Sequence, residues 1–351
     1  MAIVTDNRNS VRTTSETSPR TVLPQSANSW QQEMRAAIRD VAELCRLLHL
    51  PAALADETAG AVASFPLFVP RPYLARIEPG NPNDPLLRQV LPVATETQNM
   101  LGFSADPVGD QAALRAPGLI QKYPGRALLI TATACAVHCR YCFRREFPYR
   151  QTPHTIEQWQ PALDWLTENH SIEEIILSGG DPLTLVDERM EELIGQLISI
   201  RHITRLRVHS RLPIMIPQRI TTRLVEVLAK NRLATFFVIH SNHADEIDDQ
   251  VAAAIAQLID AGIPVLNQAV LLKGVNDSLE ALVDLSRRLI DLRVMPYYLN
   301  QLDRVSGAAH FEVPIGEGMR LVEAMRSKLP GYAVPSYVVD DGNGNAKTLL
   351  R

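Results

Sequence analysis

The sequence predicts an α/β fold in which a parallel sheet is wound through successive βαβ units. Short apolar stretches at 127–133, 174–178, 205–209, 234–239, 264–271 and 294–299 read as strands, and helical patterns near 155–169, 187–199, 218–230, 244–261 and 277–291 fall between them. Strands alternating with helices at this spacing pair in parallel, and six of them suit a partial (β/α) barrel or an open doubly wound sheet. Polar clusters also recur at matching ends: Cys135 follows the first strand, Gly179-Gly180-Asp181 the second and His209-Ser210-Arg211 the third. His240 ends the fourth, Gln268 lies within the fifth and Asp303 follows the sixth. Barrel proteins gather their ligand sites at the carboxyl ends of their strands.

The stretch before residue 117 lacks this alternation. Residues 1–28 are rich in Ser, Thr and Asn without apolar periodicity and read as a disordered extension. Arg8, Arg12 and Arg20 there suggest a transit peptide, against which Asp6 and Glu16 argue. Residues 29–60 place Trp30, Met34, Ile38, Val41 and Leu48 at helical spacings. A proline-rich stretch from Phe65 to Pro92 then reads as a segment wrapped over a core rather than building one. The expected organisation is thus an extension (1–28), a helical and proline-rich wrapping region (29–116), the barrel (117–311) and a C-terminal helix with a lysine-bearing loop (312–351).

Bulk properties narrow the classes. The 351 residues are 46% hydrophobic, with no run near the roughly 18 apolar residues of a membrane span and no signal-peptide core. A net charge of −4 gives no general affinity for nucleic acid. Four cysteines, three of them crowded, make no disulfide framework, so a reducing cytoplasm is the expected compartment.

The crowded cysteines form Cys135-Ala-Val-His-Cys139-Arg-Tyr-Cys142, directly after Ala127-Leu-Leu-Ile-Thr-Ala-Thr-Ala134. One tight loop thereby offers three thiolates, a number that leaves a coordination position open where a structural zinc site would be closed by four ligands. A cluster held by three cysteines likewise keeps one iron available. A zinc site completed by His138 remains the plainer alternative, whereas Cys45 sits in an amphipathic helical pattern and reads as a core residue. Ser178-Gly-Gly-Asp-Pro182 lets backbone approach a ligand closely, or simply turns the chain, with Asp181 capping the next element. The chain has only five lysines (Lys122, Lys230, Lys273, Lys328 and Lys347), and Lys347 follows Asp340-Asp-Gly-Asn-Gly-Asn-Ala, a loop from which an amine could reach a bound aldehyde.

Cys-x3-Cys-x2-Cys with Tyr141 before the last cysteine resembles the radical S-adenosylmethionine superfamily, and the lysine loop resembles that of its lysine 2,3-aminomutases. Matching blocks lie at 117–148, 174–185, 264–277, 295–311 and 331–347, within a resemblance over roughly residues 30–351. The segments 80–90 and 135–145 look like the branch of that family that serves elongation factor P. The resemblance implies a six-stranded partial barrel, a 4Fe–4S cluster on Cys135, Cys139 and Cys142, and S-adenosylmethionine held with the help of Gly179, Gly180, Asp181, His240 and Gln268. It implies pyridoxal 5′-phosphate on Lys347, its phosphate gripped by Arg126 with Lys122 as helper. Arg144 would meet the α-carboxylate of L-lysine, and Asp303 and Asp340 its ε-ammonium, with Asp341 as a rival to Asp340. Arg145 reads as a surface ion-pair partner.

The implied reaction is a 5′-deoxyadenosyl-radical 2,3-migration of the amino group, giving (R)-β-lysine for a ligase that modifies elongation factor P. A reductant protein of flavodoxin or ferredoxin type would supply the electron. Two alternatives stand beside this: a metabolic lysine 2,3-aminomutase releasing free β-lysine, and a noncatalytic zinc or iron–sulfur module that binds a protein. The sequence stops four residues after Lys347, without the C-terminal extension of lysine-degrading members, and that favours the elongation factor P branch.

Overall fold

The computed structural model describes residues 29–148, 152–153, 155–340 and 346–351. The expected N-terminal extension and the glycine-containing part of the lysine loop lie outside the described residues. Ten strands form one sheet whose order follows the chain: β1 (Leu114–Ala116), β2 (Leu119–Ile120), β3 (Arg126–Ala132), β4 (Glu174–Gly179), β5 (Arg205–Ser210), β6 (Ala234–His240), β7 (Val265–Val270), β8 (Met295–Asn300), β9 (Ser336–Val339) and β10 (Thr348–Leu349). All pairs from β3 to β9 are parallel, and antiparallel pairs close both edges. A doubly wound sheet reverses its strand order at a switch point. This sheet never does, so it winds one way as a partial barrel. The six expected strands are β3 to β8, and β9 adds a seventh parallel strand within the segment read as a C-terminal helix and lysine-bearing loop.

The helices return the chain between strands: α7 (Ile156–Glu168), α8 (Asp187–Ser199), α9 (Leu212–Met215), α10 (Thr222–Ala229), α11 (Asp249–Asp260), α12 (Leu279–Asp291) and α13 (Ile315–Arg326). Side-chain caps start several of them: Thr155 accepts from the Gln158 amide, Thr221 from Leu224, Asp248 from Val251 and Ser278 from Ala281. Strand alternation sorts the two faces. On β4 and β5, Ile175, Leu177, Leu206 and Val208 are fully buried in the core shared with the helices, while Glu174, Ser178, Arg207 and His209 alternate with them and stay partly accessible. Polar groups therefore face the barrel interior.

The pattern read as helical over 29–60 is broken into α1 (Trp30–Arg35), α2 (Val41–Leu47), α3 (Ala53–Glu57) and α4 (Ala59–Ser64). Asp40 caps α2 anew, Ile38 bridges to Val69, and Pro51 follows the positive-φ residue His49. Prolines open the single-turn helices α5 (Arg71–Leu74) and α6 (Pro85–Arg88), in the first turn where a missing N–H costs nothing. The proline-rich stretch does wrap, but it also builds core: Leu67, Val69, Tyr73, Leu86, Leu87 and Val90 are all buried with the barrel residues. Apolar residues between the prolines point inward, and the Tyr73 hydroxyl donates to the Leu86 carbonyl.

Candidate active site

The cysteine loop is seated before it is functional. The amides of Gly180 and Asp181 donate to the carbonyls of Ala132 and Ala134, both at 2.8 Å, tying the end of β4 to the start of the loop. A Cβ on Gly180 would stand 2.4 Å from the Ala134 oxygen, and Gly179 has φ +126°, so only glycines allow this approach. The Asp181 side chain is engaged within the fold. Its buried carboxylate accepts from Ser210 Oγ (2.7 Å) and from the amides of Arg211 (2.8 Å), Leu212 (3.0 Å) and Leu183 (3.0 Å). It pins the ends of β4 and β5 together, the capping alternative.

The loop's remaining residues anchor it outward. His138 is not turned to the thiols: its Nδ1 lies 2.7 Å from the Pro66 carbonyl, and its ring stacks on Phe65 at 4.8 Å. Fully buried Arg140 pairs with Glu96 (2.6 Å), which Arg145 also reaches at 2.9 Å. Arg145 is therefore a buried ion-pair partner, not a surface one, because its guanidinium shares the buried Glu96 carboxylate with Arg140. Tyr141 lies 3.0 Å from His240 Nε2 and receives the Asn242 side-chain amide at 2.7 Å, which fixes the loop against the end of β6. Arg211 donates to Cys139 Sγ and, with its other terminal nitrogen, to Gln89 (2.7 Å) and Glu246 (3.1 Å).

The three thiols share one electrostatic neighbourhood. Burial first, then Cys142, Asp181 and Cys139, pushes the Cys135 thiol well up, and burial with Cys139 raises Cys142 to about 11. Such thiols ionise only when bound cations compensate the charge, as metal coordination does. Among the described residues no three His, Cys, Asp or Glu side chains converge as a cage for a single ion. A multi-iron cluster instead spreads its cysteines over separate corners, so this donor set fits an iron–sulfur cluster with an iron left to a further ligand.

A second group of residues gathers around Lys347. Its amine donates to Asn300 Oδ1 at 2.6 Å and lies 5.7 Å from the ring centre of Tyr298. Burial lowers the Lys347 pKa, with Asp303 and Asp340 opposing. Burial pushes Asp303 up to about 6, with Lys347 pulling it down and Asp340 raising it. Asp340 Oδ2 accepts from the Tyr123 hydroxyl at 2.9 Å and sits 3.8 Å from Lys122. Asp341, its rival, lies outside the described residues. Arg126 stacks over the Tyr123 ring at 4.7 Å, and both Arg126 and Arg207 bear on the Tyr298 hydroxyl. A partly buried amine of lowered pKa beside a cationic wall fits an aldehyde that carries a phosphate. Lys122, expected as a phosphate helper, is drawn instead between Asp110 (2.7 Å) and Asp340. A cavity of about 680 Å³, lined by Asp303, Asp340, Gln301, Arg304, Glu312 and Ser104 among others, reaches these carboxylates.

Arg144 donates from Nε to Asp110 Oδ2 at 2.7 Å and from a terminal nitrogen to Ser178 Oγ at 3.3 Å. Burial alone would raise Asp110, but Arg144 and Lys122 together hold it below the usual carboxylate range. On the next strands, burial and then Arg211 keep His240 neutral, and it registers beside Gln268. His209 is held neutral by burial and then Arg207, and its buried Nε2 has no hydrogen-bond partner within the protein.

The sequence reading gave no role to Asp110, Asn300, Tyr123, Gln89 or Glu246, and it saw Ser178 and Arg211 only as members of strand-end clusters. Asn300 carried a signal, since it ends the sixth expected strand. Asp110 carried none, because it lies in irregular chain.

Residues 129–286 match the radical SAM superfamily. The chain is 44% identical over 328 residues to an L-lysine 2,3-aminomutase of Escherichia coli K12, covering 93% of this chain and 95% of that protein. The Haemophilus influenzae L-lysine 2,3-aminomutase is 41% identical, with 93% and 98% covered, and that of Clostridium subterminale is 36% identical, with 92% and 77% covered. Radical SAM enzymes of this kind work with a 4Fe–4S cluster, S-adenosylmethionine and pyridoxal phosphate, the groups that the thiol loop and the lysine pocket are suited to hold. With its cysteine loop, parallel partial barrel and pocket lysine, the chain belongs to the L-lysine 2,3-aminomutase family of the radical SAM superfamily.

Proposed function

We propose that this protein moves the 2-amino group of L-lysine to carbon 3, forming (R)-β-lysine that serves the modification of elongation factor P. The observation that carries the reading is Lys347, a partly buried amine held by Asn300 with Asp303 and Asp340 acting on it. When bound, the cluster and S-adenosylmethionine supply a carbon radical, and pyridoxal phosphate supplies a conjugated carrier for nitrogen. The protein's part is to hold and orient. Cys135, Cys139 and Cys142 hold the cluster, while Gly179 and Gly180 keep their loop in place. His240 and Gln268, side by side on β6 and β7, face S-adenosylmethionine. The lowered pKa of Lys347 favours the neutral amine that can join an aldehyde. Arg126 grips the phosphate, while Lys122 stays with Asp110 and Asp340.

Arg144 takes the α-carboxylate, because a planar guanidinium binds carboxylate through paired hydrogen bonds. Asp303 and Asp340 take the ε-ammonium, whose charge offsets the cost of ionising buried Asp303. Two carboxylates there also disfavour acidic amino acids by repulsion. A flavodoxin- or ferredoxin-type protein in a reducing cytoplasm would supply the electron. Among the described residues no helix is long and apolar enough to cross a membrane.

The test is anaerobic incubation of the reconstituted protein with L-lysine, S-adenosylmethionine, pyridoxal phosphate and a reductant, followed by chiral mass-spectrometric analysis. Appearance of (R)-β-lysine is expected, and unchanged lysine would refute the reading. Adding elongation factor P and its lysyl ligase then separates the modification role from metabolic release of free β-lysine. Product that never reaches the factor would favour the metabolic enzyme.

A further inference from the structure

We infer that Asp110 is a positioning residue that orients Arg144 for the α-carboxylate of the substrate, an inference that rests on the lysine reading above. Asp110 belongs to no helix or strand, and its side chain is only 3% exposed. Asp106 fixes its backbone by accepting from the Asp110 amide at 2.9 Å. The two carboxylate oxygens are divided between two cations: Oδ1 meets Lys122 and Oδ2 meets Arg144 Nε, both at 2.7 Å.

This division matters for how Arg144 presents itself. A guanidinium binds a carboxylate best through two parallel N–H groups on one edge. Asp110 occupies the Nε position and Ser178 Oγ accepts from Nη1, so the side chain is held from two directions and its plane is set before substrate arrives. The ring of Phe143, 4.8 Å from the guanidinium carbon, covers one face. Preorganisation of this kind spares the entropy cost of fixing a long side chain during binding. Asp110 also keeps two cations close together, which without it would repel each other and reorient.

Asp110→Asn is the decisive variant. Its amide can offer an oxygen to only one of the two cations and turns an N–H towards the other. In the holoenzyme, ligand binding is followed through the visible absorbance of bound pyridoxal phosphate, with L-lysine compared against 1,5-diaminopentane, which lacks the carboxylate. We expect the dissociation constant for L-lysine to rise about tenfold or more. The constant for the diamine should change less than threefold, with cofactor loading and iron content near the parent values, while the thermal midpoint falls because the buried pairs of Asp110 with Lys122 and Arg144 also stabilise the fold. The KM for L-lysine should rise more than kcat falls, and Asp110→Glu should recover part of the loss. Equal weakening of both ligands, or no weakening of lysine, would overturn the inference. If the parent protein itself shows no spectral response to L-lysine, the lysine reading fails, a result separate from any difference between parent and variant.

Discussion

Asp303→Asn probes the substrate pocket from its other end, and both sign and size follow from the structure. Burial dominates at Asp303 and pushes its carboxyl up to about 6. Since the folded-state pKa lies above the ordinary 3.8, the folded protein binds the proton more tightly than the unfolded chain. Stability is then lost as pH rises through the window from 3.8 to about 6, and the full cost is present above it. The difference of roughly 2 units corresponds to about 3 kcal/mol at 1.36 kcal/mol per unit. Without pyridoxal phosphate, Asp303→Asn should therefore raise the thermal midpoint at pH 7.5, and the gain should disappear near pH 4. Binding should move the opposite way. An ammonium needs the ionised carboxylate, so lysine affinity in the parent should fall about tenfold between pH 7 and pH 5 as the group titrates near 6. In the variant that dependence should vanish, and lysine should bind about 2–5 kcal/mol more weakly at pH 7.5. Spectral titration of the loaded protein over pH 5 to 8, paired with thermal unfolding, reads both effects. Parent-like affinity and an unchanged pH profile in Asp303→Asn would refute the assignment of this carboxylate to the ammonium.

The other predictions concern the cofactor-holding elements. Cys139→Ala should lose the iron–sulfur absorbance and most of the bound iron after anaerobic reconstitution; a full 4Fe–4S spectrum would exclude it as a ligand. His138→Ala should retain iron but unfold at lower temperature, because its ring packs on Phe65 and its Nδ1 meets Pro66; loss of metal with unchanged stability would revive a four-ligand zinc site. Gly180→Ala forces a Cβ to 2.4 Å from the Ala134 oxygen, so it should cost about 3 kcal/mol in denaturant unfolding and lower iron uptake. Lys347→Ala should yield no borohydride-fixed pyridoxyl adduct at this position, and an adduct of parent yield would point to another of the five lysines.

The barrel was legible because its strands are apolar, short and regularly spaced, and because polar residues mark their ends. β3 to β8 fall within a residue or two of the stretches read from the sequence. The failures have physical causes. The 29–60 pattern has helical periodicity, but periodicity cannot show that Asp40 restarts a helix or that Ile38 leaves it to pair with Val69. Asp181 looked like part of a ligand loop because glycine and aspartate serve turns and ligands equally well in sequence. Only the four contacts to its carboxylate decide between those uses. Asp110 and Glu96 escaped notice for a related reason. Neither Asp110, in irregular chain, nor Glu96, in a single 3-10 turn, has a period to betray it, and their arginine partners lie 34 and 44 residues away respectively.

The seventh parallel strand explains how one short C-terminal segment serves two ends of the site. β9 is parallel to β8, with Asn300 registered opposite Val338, and turns back into β10 with Thr348 opposite Val339. Asp340 and Lys347 are the residues immediately beyond those paired positions, so the hairpin brings them near one another even though the residues between them differ little from a surface turn in composition. Their proximity is electrostatic as well as topological, because Asp340 opposes the lowering of the Lys347 pKa. The lysine amine then reaches across to Asn300 on β8, and the Asp340 carboxylate reaches Tyr123 ahead of β3. The segment read in sequence as a lysine-bearing loop thus connects, through Lys347 and Asp340, the end of β8 with the approach to β3. Shortening the link between β9 and β10 should therefore impair lysine binding and cofactor attachment together, whereas a mutation confined to Asp340 should spare attachment.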